Sequence, residues 1–208
     1  TLDRIRRLVG DRARIEINSE RLGLAGNWNR CVERTQTEFV AIFHQDDVMR
    51  PGHLARHLAA FAPGVGLAAS ASTVIDAVGN PVDPDQVDPG GCGSIDRVYE
   101  PRGFLSELAW SNPLRCSAVS LRVDVHRRLG GFDPTYRYVV DWDFWIKVAR
   151  TWSVAWIAEP TVAVRWHPAS ETHTFKTGTT DLEETHRLLD DLYRSEPHLA
   201  VFQTHADK

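Results

Sequence analysis

Two places in this 208-residue chain concentrate side chains able to do chemistry. In the first, the apolar run Phe39-Val-Ala-Ile-Phe43 breaks into His44-Gln-Asp46-Asp47, and Pro51-Gly52 follows. Adjacent carboxylates in a water-poor place repel each other, so they need a cation or strong donors to stay charged. A divalent metal carrying a phosphorylated substrate meets that need, because hard cations prefer carboxylate oxygen. A solvated Asp-rich turn that merely starts a helix is the plainer alternative, and these residues alone leave both open. In the second place, Gly130-Gly-Phe-Asp-Pro134 leads into Asp141-Trp142-Asp143-Phe144-Trp145. An acid at a helix start stays ionised because backbone N–H groups and the helix dipole favour the charge. With an aromatic wall beside it, such an acid suits a general base next to a sugar ring. The alternative is an ordinary helix cap above core aromatics, the commoner outcome for an isolated Asp-x-Asp.

The elements that must position these groups can be read from periodicity. Phe39 to Phe43 predicts a strand buried on both faces. The acids then lie at its carboxyl end, where open α/β sheets bind ligands. Ahead of it, Leu2, Ile5, Leu8 and Val9 share a helical face stopped by Gly10, Arg14 to Ile17 alternates as a short strand, and 23–34 reads as a helix. After it come a helix from Pro51 with Leu54, Leu58 and Phe61 inward, and a strand over 66–78 stopped by Gly79-Asn80-Pro81. This α-β-α-β-α-β order predicts a parallel sheet with crossover helices. Residues 83–98, rich in Pro, Gly and Asp, predict a long loop of the kind that serves as a lid. A helix over 101–110, a strand over 116–121, and a short helix over 122–129 closed by Gly130-Gly131 follow. Then come a helix over 141–151, strands over 154–158 and 162–166, and a capping box at Thr180-Asp-Leu-Glu183 opening a last helix.

Composition excludes some classes. A formal net charge of -4 and a pI near 6.1 give no support to a nucleic-acid or membrane-surface binder. Cys31, Cys92 and Cys116 are odd in number and widely spaced, which predicts reduced thiols, a cytoplasmic protein and no Cys-x-x-Cys zinc site. No stretch approaches the roughly 20 apolar residues of a membrane span, so any membrane association is peripheral. No signal peptide opens the chain. His53 and His57, four apart on a predicted helix, lack an evident third metal ligand.

Taken together, the segments resemble glycosyltransferase family 2, the inverting nucleotide-sugar transferases of the GT-A fold. Asn18 to Cys31 is similar to the family's Asn-x-Gly…Asn helix start, and Phe39 to Pro51 to its strand ending in the Asp-x-Asp metal motif. Gly130-Gly-Phe-Asp133 is similar to its acceptor-side turn, Asp141-Trp-Asp-Phe-Trp145 to its Glu-Asp base motif, and Arg165-Trp-His167 to Ser170 to its late Arg/His segment. The resemblance implies an α/β fold with a mainly parallel central sheet flanked by helices. The GT-A domain would cover 1–175, with a C-terminal helix and tail over 176–208. It implies Asp141 as catalytic base, with Val140 standing where the family usually has Glu and Asp143 as a substitute for it. It implies Asp46 as metal ligand, with His44 in place of the first Asp of the motif and His167 approaching the metal or diphosphate. Asp47 would support a ligand, and Asp47, Asp143, Trp142 and Arg165 would contact the nucleotide sugar or acceptor, with Trp110 as a further wall. The implied cofactor is Mn2+ or Mg2+, the implied donor a UDP- or dTDP-sugar, and the implied acceptor a carbohydrate or lipid-linked hydroxyl, as in polysaccharide biosynthesis. Family members begin with a β-α-β unit of roughly 30 residues or more, which holds the base. That unit has no counterpart in this sequence, so the fragment alone is expected to fold poorly. A nucleotidyltransferase of related architecture, and a non-catalytic carbohydrate- or partner-binding module, are the rival readings.

Overall fold

The computed structural model describes residues 2–87, 89–167, 175 and 178–202. Its helices are α1 (Leu2–Val9), α2 (Gly23–Glu33), α3 (His53–Ala60), α4 (Leu105–Leu108), α5 (Val123–Arg128), α6 (Val140–Thr151) and α7 (Thr180–Ser195). Its strands are β1 (Phe39–Ala41), β2 (Val48–Met49), β3 (Val65–Ile75), β4 (Arg97–Tyr99), β5 (Val119–Arg122) and β6 (Ser153–Arg165). They form one sheet in the order β1-β5-β3-β6-β2, with β4 also paired to β6.

The parallel frame expected from the element order is present and centred on β3 and β6, which pair in parallel along almost their whole lengths. β1 runs the same way, because both β1 and β3 are antiparallel to β5, the strand between them. β2 and β4 are short antiparallel additions on β6, so the α/β sheet is mixed. Where two strands were expected around Glu159-Pro160, β6 is continuous. Its register against β3 skips from Ser70↔Ile157 to Ser72↔Val162, so residues 158–161 form a bulge.

β3 alternates between two cores, as a central strand must. Leu67 and Ala69 face the main core with Trp28, Leu121, Phe132, Phe144, Trp145 and Trp156. Leu188, Leu192 and Tyr193 of α7 join the same core. Ala68 faces a smaller one with Val65 and Ala155 beneath α3.

Several expectations change. β1 is half-buried rather than buried on both faces, because among the described residues it pairs only with β5. Arg14 to Ile17 forms no strand. No described strand lies beside it, and Glu16 is instead held by Arg14 and Arg34 at 3.0 and 3.1 Å. The apolar face of α1 is uncovered, with Leu2, Ile5 and Leu8 exposed. Helix α3 is turned over: Leu54 and Leu58 are 54% and 53% exposed, while His53 and His57 are each 1% exposed. The sheet under it carries Ser70 and the bulge residue Thr161, whose hydroxyls meet at 2.6 Å, and His53 Nδ1 lies 2.8 Å from Thr161 Oγ1. His53 completes that polar floor; a leucine in its place would leave the two hydroxyls only each other. The histidine rings pack 4.1 Å apart, and among the described residues no third metal ligand joins them. The 83–98 segment ends in β4 and is tied to the sheet rather than hanging free. Pro89 O accepts from Ser72 Oγ at 2.8 Å, Gly93 O from Trp156 Nε1 at 2.9 Å, and Asp96 from the Ala158 N–H at 2.8 Å.

Candidate active site

The acid turn is gripped on both sides. It leaves β1 and returns as β2, whose Val48 and Met49 pair with Ala163 and Val162 of β6. The His44 N–H donates to the buried Ser117 hydroxyl at 3.0 Å, and the His44 ring stacks on Trp28 of α2 at 5.6 Å. Arg165, at the end of β6, staples the turn. Its N–H donates to Asp47 Oδ1 at 2.8 Å, its Nε to Asp46 O at 2.8 Å, and its Nη1 to Asp76 O at 2.8 Å. Asp76 in turn caps the end of β3 by accepting the N–H groups of Val78, Gly79 and Asn80.

This fixes a triad. One ligand atom from each of His44, Asp46 and Asp47 lies within 4.8 Å of the others. His44 Nε2 is buried and has no hydrogen-bond partner among the described residues, an orphan that a bound cation would satisfy. Asp46 Oδ2 lies 3.1 Å from His167 Nε2. One imidazole nitrogen with carboxylate oxygens fits Mn2+ or Mg2+.

Asp141 lies in the first turn of α6 rather than at its cap, which is Val139. Its Oδ1 accepts the Trp142 N–H at 2.8 Å and its Oδ2 accepts from Asn112 Nδ2 at 3.2 Å. Burial pushes its carboxyl above the ordinary range; those two donors and the neighbouring His44 pull it partly back. The buried Cys116 thiol is pushed up first by burial and then by both Asp141 and Asp47. The base candidate and the acid turn therefore share one electrostatic neighbourhood. The backbone leading into α6 is held by Glu184 of α7, whose carboxylate accepts the N–H groups of Arg137, Tyr138 and Val139 at 2.8–3.3 Å.

The structure thus brings together Asp141, His44, Asp46, Asp47 and His167, with Asp47 inside the triad rather than behind it. Three other expectations are corrected. Trp142 is 7% exposed and its indole N–H donates to Leu108 O at 3.0 Å, so it is a core strut with no face to offer a sugar. Asp143 is buried against Lys147, 2.6 Å away, on a different side of α6 from Asp141. Arg165 commits its Nε and Nη1 to backbone carbonyls, so it positions the turn. Trp110 remains largely exposed. Ser170, at the end of the late segment, lies outside the described residues.

Sequence reasoning missed Asn112, Ser117 and Glu184. The Asn112-Pro113 pair is a turn signal that marks a fixed polar side chain. A lone serine in an apolar run and a glutamate within a helix carry no local signal. The N-cap of α7 is Thr179, one residue before the expected box, and its Oγ1 meets Glu183 Oε1 at 2.6 Å.

Comparison with known proteins agrees with this geometry. The sequence matches the family described as "Glycosyl transferase family 2" over residues 1–127, more than half of the chain. Among curated proteins none matches. Among solved structures, S. aureus TarS 1-349 in complex with UDP-GlcNAc superposes with a TM-score of 0.60 at 11% identity, over 90% of this chain and 52% of that one. The mannosyltransferase PcManGT from Pyrobaculum calidifontis, in complex with GDP-Man and Mn2+, gives 0.56 at 18% identity, over 99% and 61%. This chain therefore spans between half and two thirds of those lengths, and the shared fold is GT-A. By the match across residues 1–127, with a GT-A fold placing its acid turn at a strand end, the chain belongs to glycosyl transferase family 2.

Proposed function

We propose that this chain moves a sugar from a nucleotide-diphosphate sugar to an acceptor hydroxyl, with inversion and with a divalent metal. The observation that carries the reading is the convergence of Asp141 with His44 and the acid turn, two regions far apart in sequence. His44, Asp46 and Asp47 would hold the metal, with His167 beside Asp46. When bound, Mn2+ or Mg2+ supplies positive charge against the departing nucleoside diphosphate. Asp141 takes the acceptor's hydroxyl proton while that oxygen bonds the anomeric carbon and the bond from that carbon to the diphosphate oxygen breaks. Arg165 and Ser117 keep the acid turn rigid, so carboxylate geometry does not have to be assembled at each turnover.

The UDP-GlcNAc and GDP-Man held by the structural neighbours support a nucleotide-sugar donor; we favour a UDP- or dTDP-sugar and a carbohydrate or lipid-linked acceptor in polysaccharide biosynthesis. We assign the transferase domain to 1–175 and a C-terminal helix and tail to 176–208. Among the described residues no helix is long and apolar enough to cross a membrane, and we place the reaction in the cytoplasm, peripheral to the membrane at most.

The test is a panel of UDP-, dTDP- and GDP-sugars with manganese. Free nucleoside diphosphate supports transfer, nucleoside triphosphate with sugar 1-phosphate formed only when pyrophosphate is added indicates a nucleotidyltransferase, and no product under either condition indicates a binding module. With the donor found, Asp141→Asn should lower the rate at saturating donor by roughly 10²–10⁴-fold, the contribution of a positioned base. Donor affinity and melting temperature should hold. Asp143→Asn, on the Lys147 side, should keep most of its rate. A near-normal rate in Asp141→Asn would remove Asp141 as base.

A further inference from the structure

A general base works only if its carboxylate is held in one rotamer with lone pairs free for the incoming hydroxyl. Asp141 and Trp142 are neighbours on α6 that grip one segment, the stretch running from α4 to β5. Trp142 does so through Leu108 O at 3.0 Å, and Asp141 through Asn112 Nδ2 at 3.2 Å. The segment is pinned again by Tyr193, whose hydroxyl donates to Ala109 O at 2.7 Å. Further along, Gly90 closes on it so tightly that a Cβ there would come within 2.6 Å of Pro113 O.

The Asn112 amide has a defined orientation. Its Oδ1 accepts the Leu114 N–H at 3.2 Å, which leaves the Nδ2 end for Asp141. The titratable groups around the carboxylate are His44 from the acid turn, Cys116 ahead of β5, and Tyr138 ahead of α6, which itself feels Arg115. Asn112 is the neutral side-chain donor in direct contact with it.

We propose that Asn112 is the positioning residue for the base. It anchors Asp141 Oδ2, so that the carboxylate stays ionised and keeps a fixed face toward the acceptor. The Trp142 N–H alone holds one oxygen and leaves the group free to turn about it. This rests on the assignment of Asp141 as base.

Two measurements on the full chain test it. In carbon-detected NMR titration of the Asp141 carboxyl, identified by its disappearance in Asp141→Asn, Asn112→Ala should raise the titration midpoint by about one pH unit, the scale of one hydrogen bond to a charged group. Asn112→Asp keeps the turn acceptor for Leu114 while replacing the donor with a like charge, and should raise it further. In the pH profile of nucleoside-diphosphate release, using whichever of UDP-glucose, UDP-N-acetylglucosamine and GDP-mannose turns over with manganese, the acid limb should move by the same amount. At a fixed pH on the acid limb the rate should therefore fall about tenfold, with KM for the donor unchanged. A merely structural Asn112 would lower the rate at every pH and leave both midpoints in place, and that result overturns the proposal. If Asp141→Asn retains the rate, the base assignment itself has failed. If Asp141→Asn loses the rate while the Asn112 variants leave the midpoint unmoved, only the role of Asn112 has failed.

Discussion

The inverted helix α3 makes the fold sensitive to acid, and the size of the effect can be worked out. His57 is 1% exposed, with its Nε2 a long 3.5 Å from Thr161 Oγ1. Its Nδ1 has no hydrogen-bond partner among the described residues. Burial first, and the neighbouring His53 second, lower its pKa from 6.5 to about 3. The unfolded chain therefore binds a proton that the folded one refuses. Stability from this group is intact above pH 6.5, declines as pH falls below it, and is fully lost near pH 3. The slope is about 1.4 kcal/mol per pH unit, or about 2 kcal/mol by pH 5, a large part of a typical total of about 5–15 kcal/mol. His57→Leu removes the titration and the orphaned nitrogen, while Thr161 keeps His53 and Ser70. Urea unfolding followed by tryptophan fluorescence should find the variant within about 1 kcal/mol of the parent at pH 7.5. At pH 5 the variant should gain on the parent by about 2 kcal/mol. Carboxylates that titrate in the same range cancel in the difference. A variant-minus-parent gap that is the same at both pH values would refute the reasoning.

Two further expectations follow from the site. Gly131, at φ 77°, would carry a Cβ 2.6 Å from Asn29 Oδ1, the atom that accepts the Phe132 N–H and lies 2.9 Å from His126 Nε2. Gly131→Ala should therefore cost at least about 2 kcal/mol in thermal unfolding. Gly130→Ala, with a positive φ but nothing within 4 Å, should cost less, and equal losses would mean the contact with Asn29 is unimportant. Asp46→Asn should weaken manganese binding measured calorimetrically in the presence of UDP by tenfold or more, about 1.4 kcal/mol. Unchanged affinity would remove Asp46 from the metal set.

The parts of the fold that sequence made legible are those with long patterns. α6 and β3 carry enough apolar positions for their period to stand out, β6 was read as two strands broken at its bulge, and Asp46 and Asp141 drew notice because two acid-bearing segments stood in one chain with the family's other segments. β2 and β4, two and three residues long, have no period to read. α3 defeated the pattern because its partner surface is polar: which face turns inward depended on Ser70 and Thr161, two residues on different strands. Arg165 was expected at the nucleotide, and its Nε and Nη1 staple the acid turn, because guanidinium donors serve carbonyls as readily as phosphates and only the tertiary path of the chain decides which they meet. The Asn112-Pro113 turn was legible, but the partners of Asn112 and Glu184 were not, since each acts on a residue 29 or more positions away.

Helix α7 holds the base region from two directions. Glu184 gathers the amides of Arg137, Tyr138 and Val139, and Tyr193 fixes Ala109 at the start of the segment that carries Asn112. In order of synthesis, everything on the acid-turn side has left the ribosome before this helix exists. Until α7 docks, the backbone entering α6 lacks its Glu184 acceptor and the segment carrying Asn112 lacks its Tyr193 anchor.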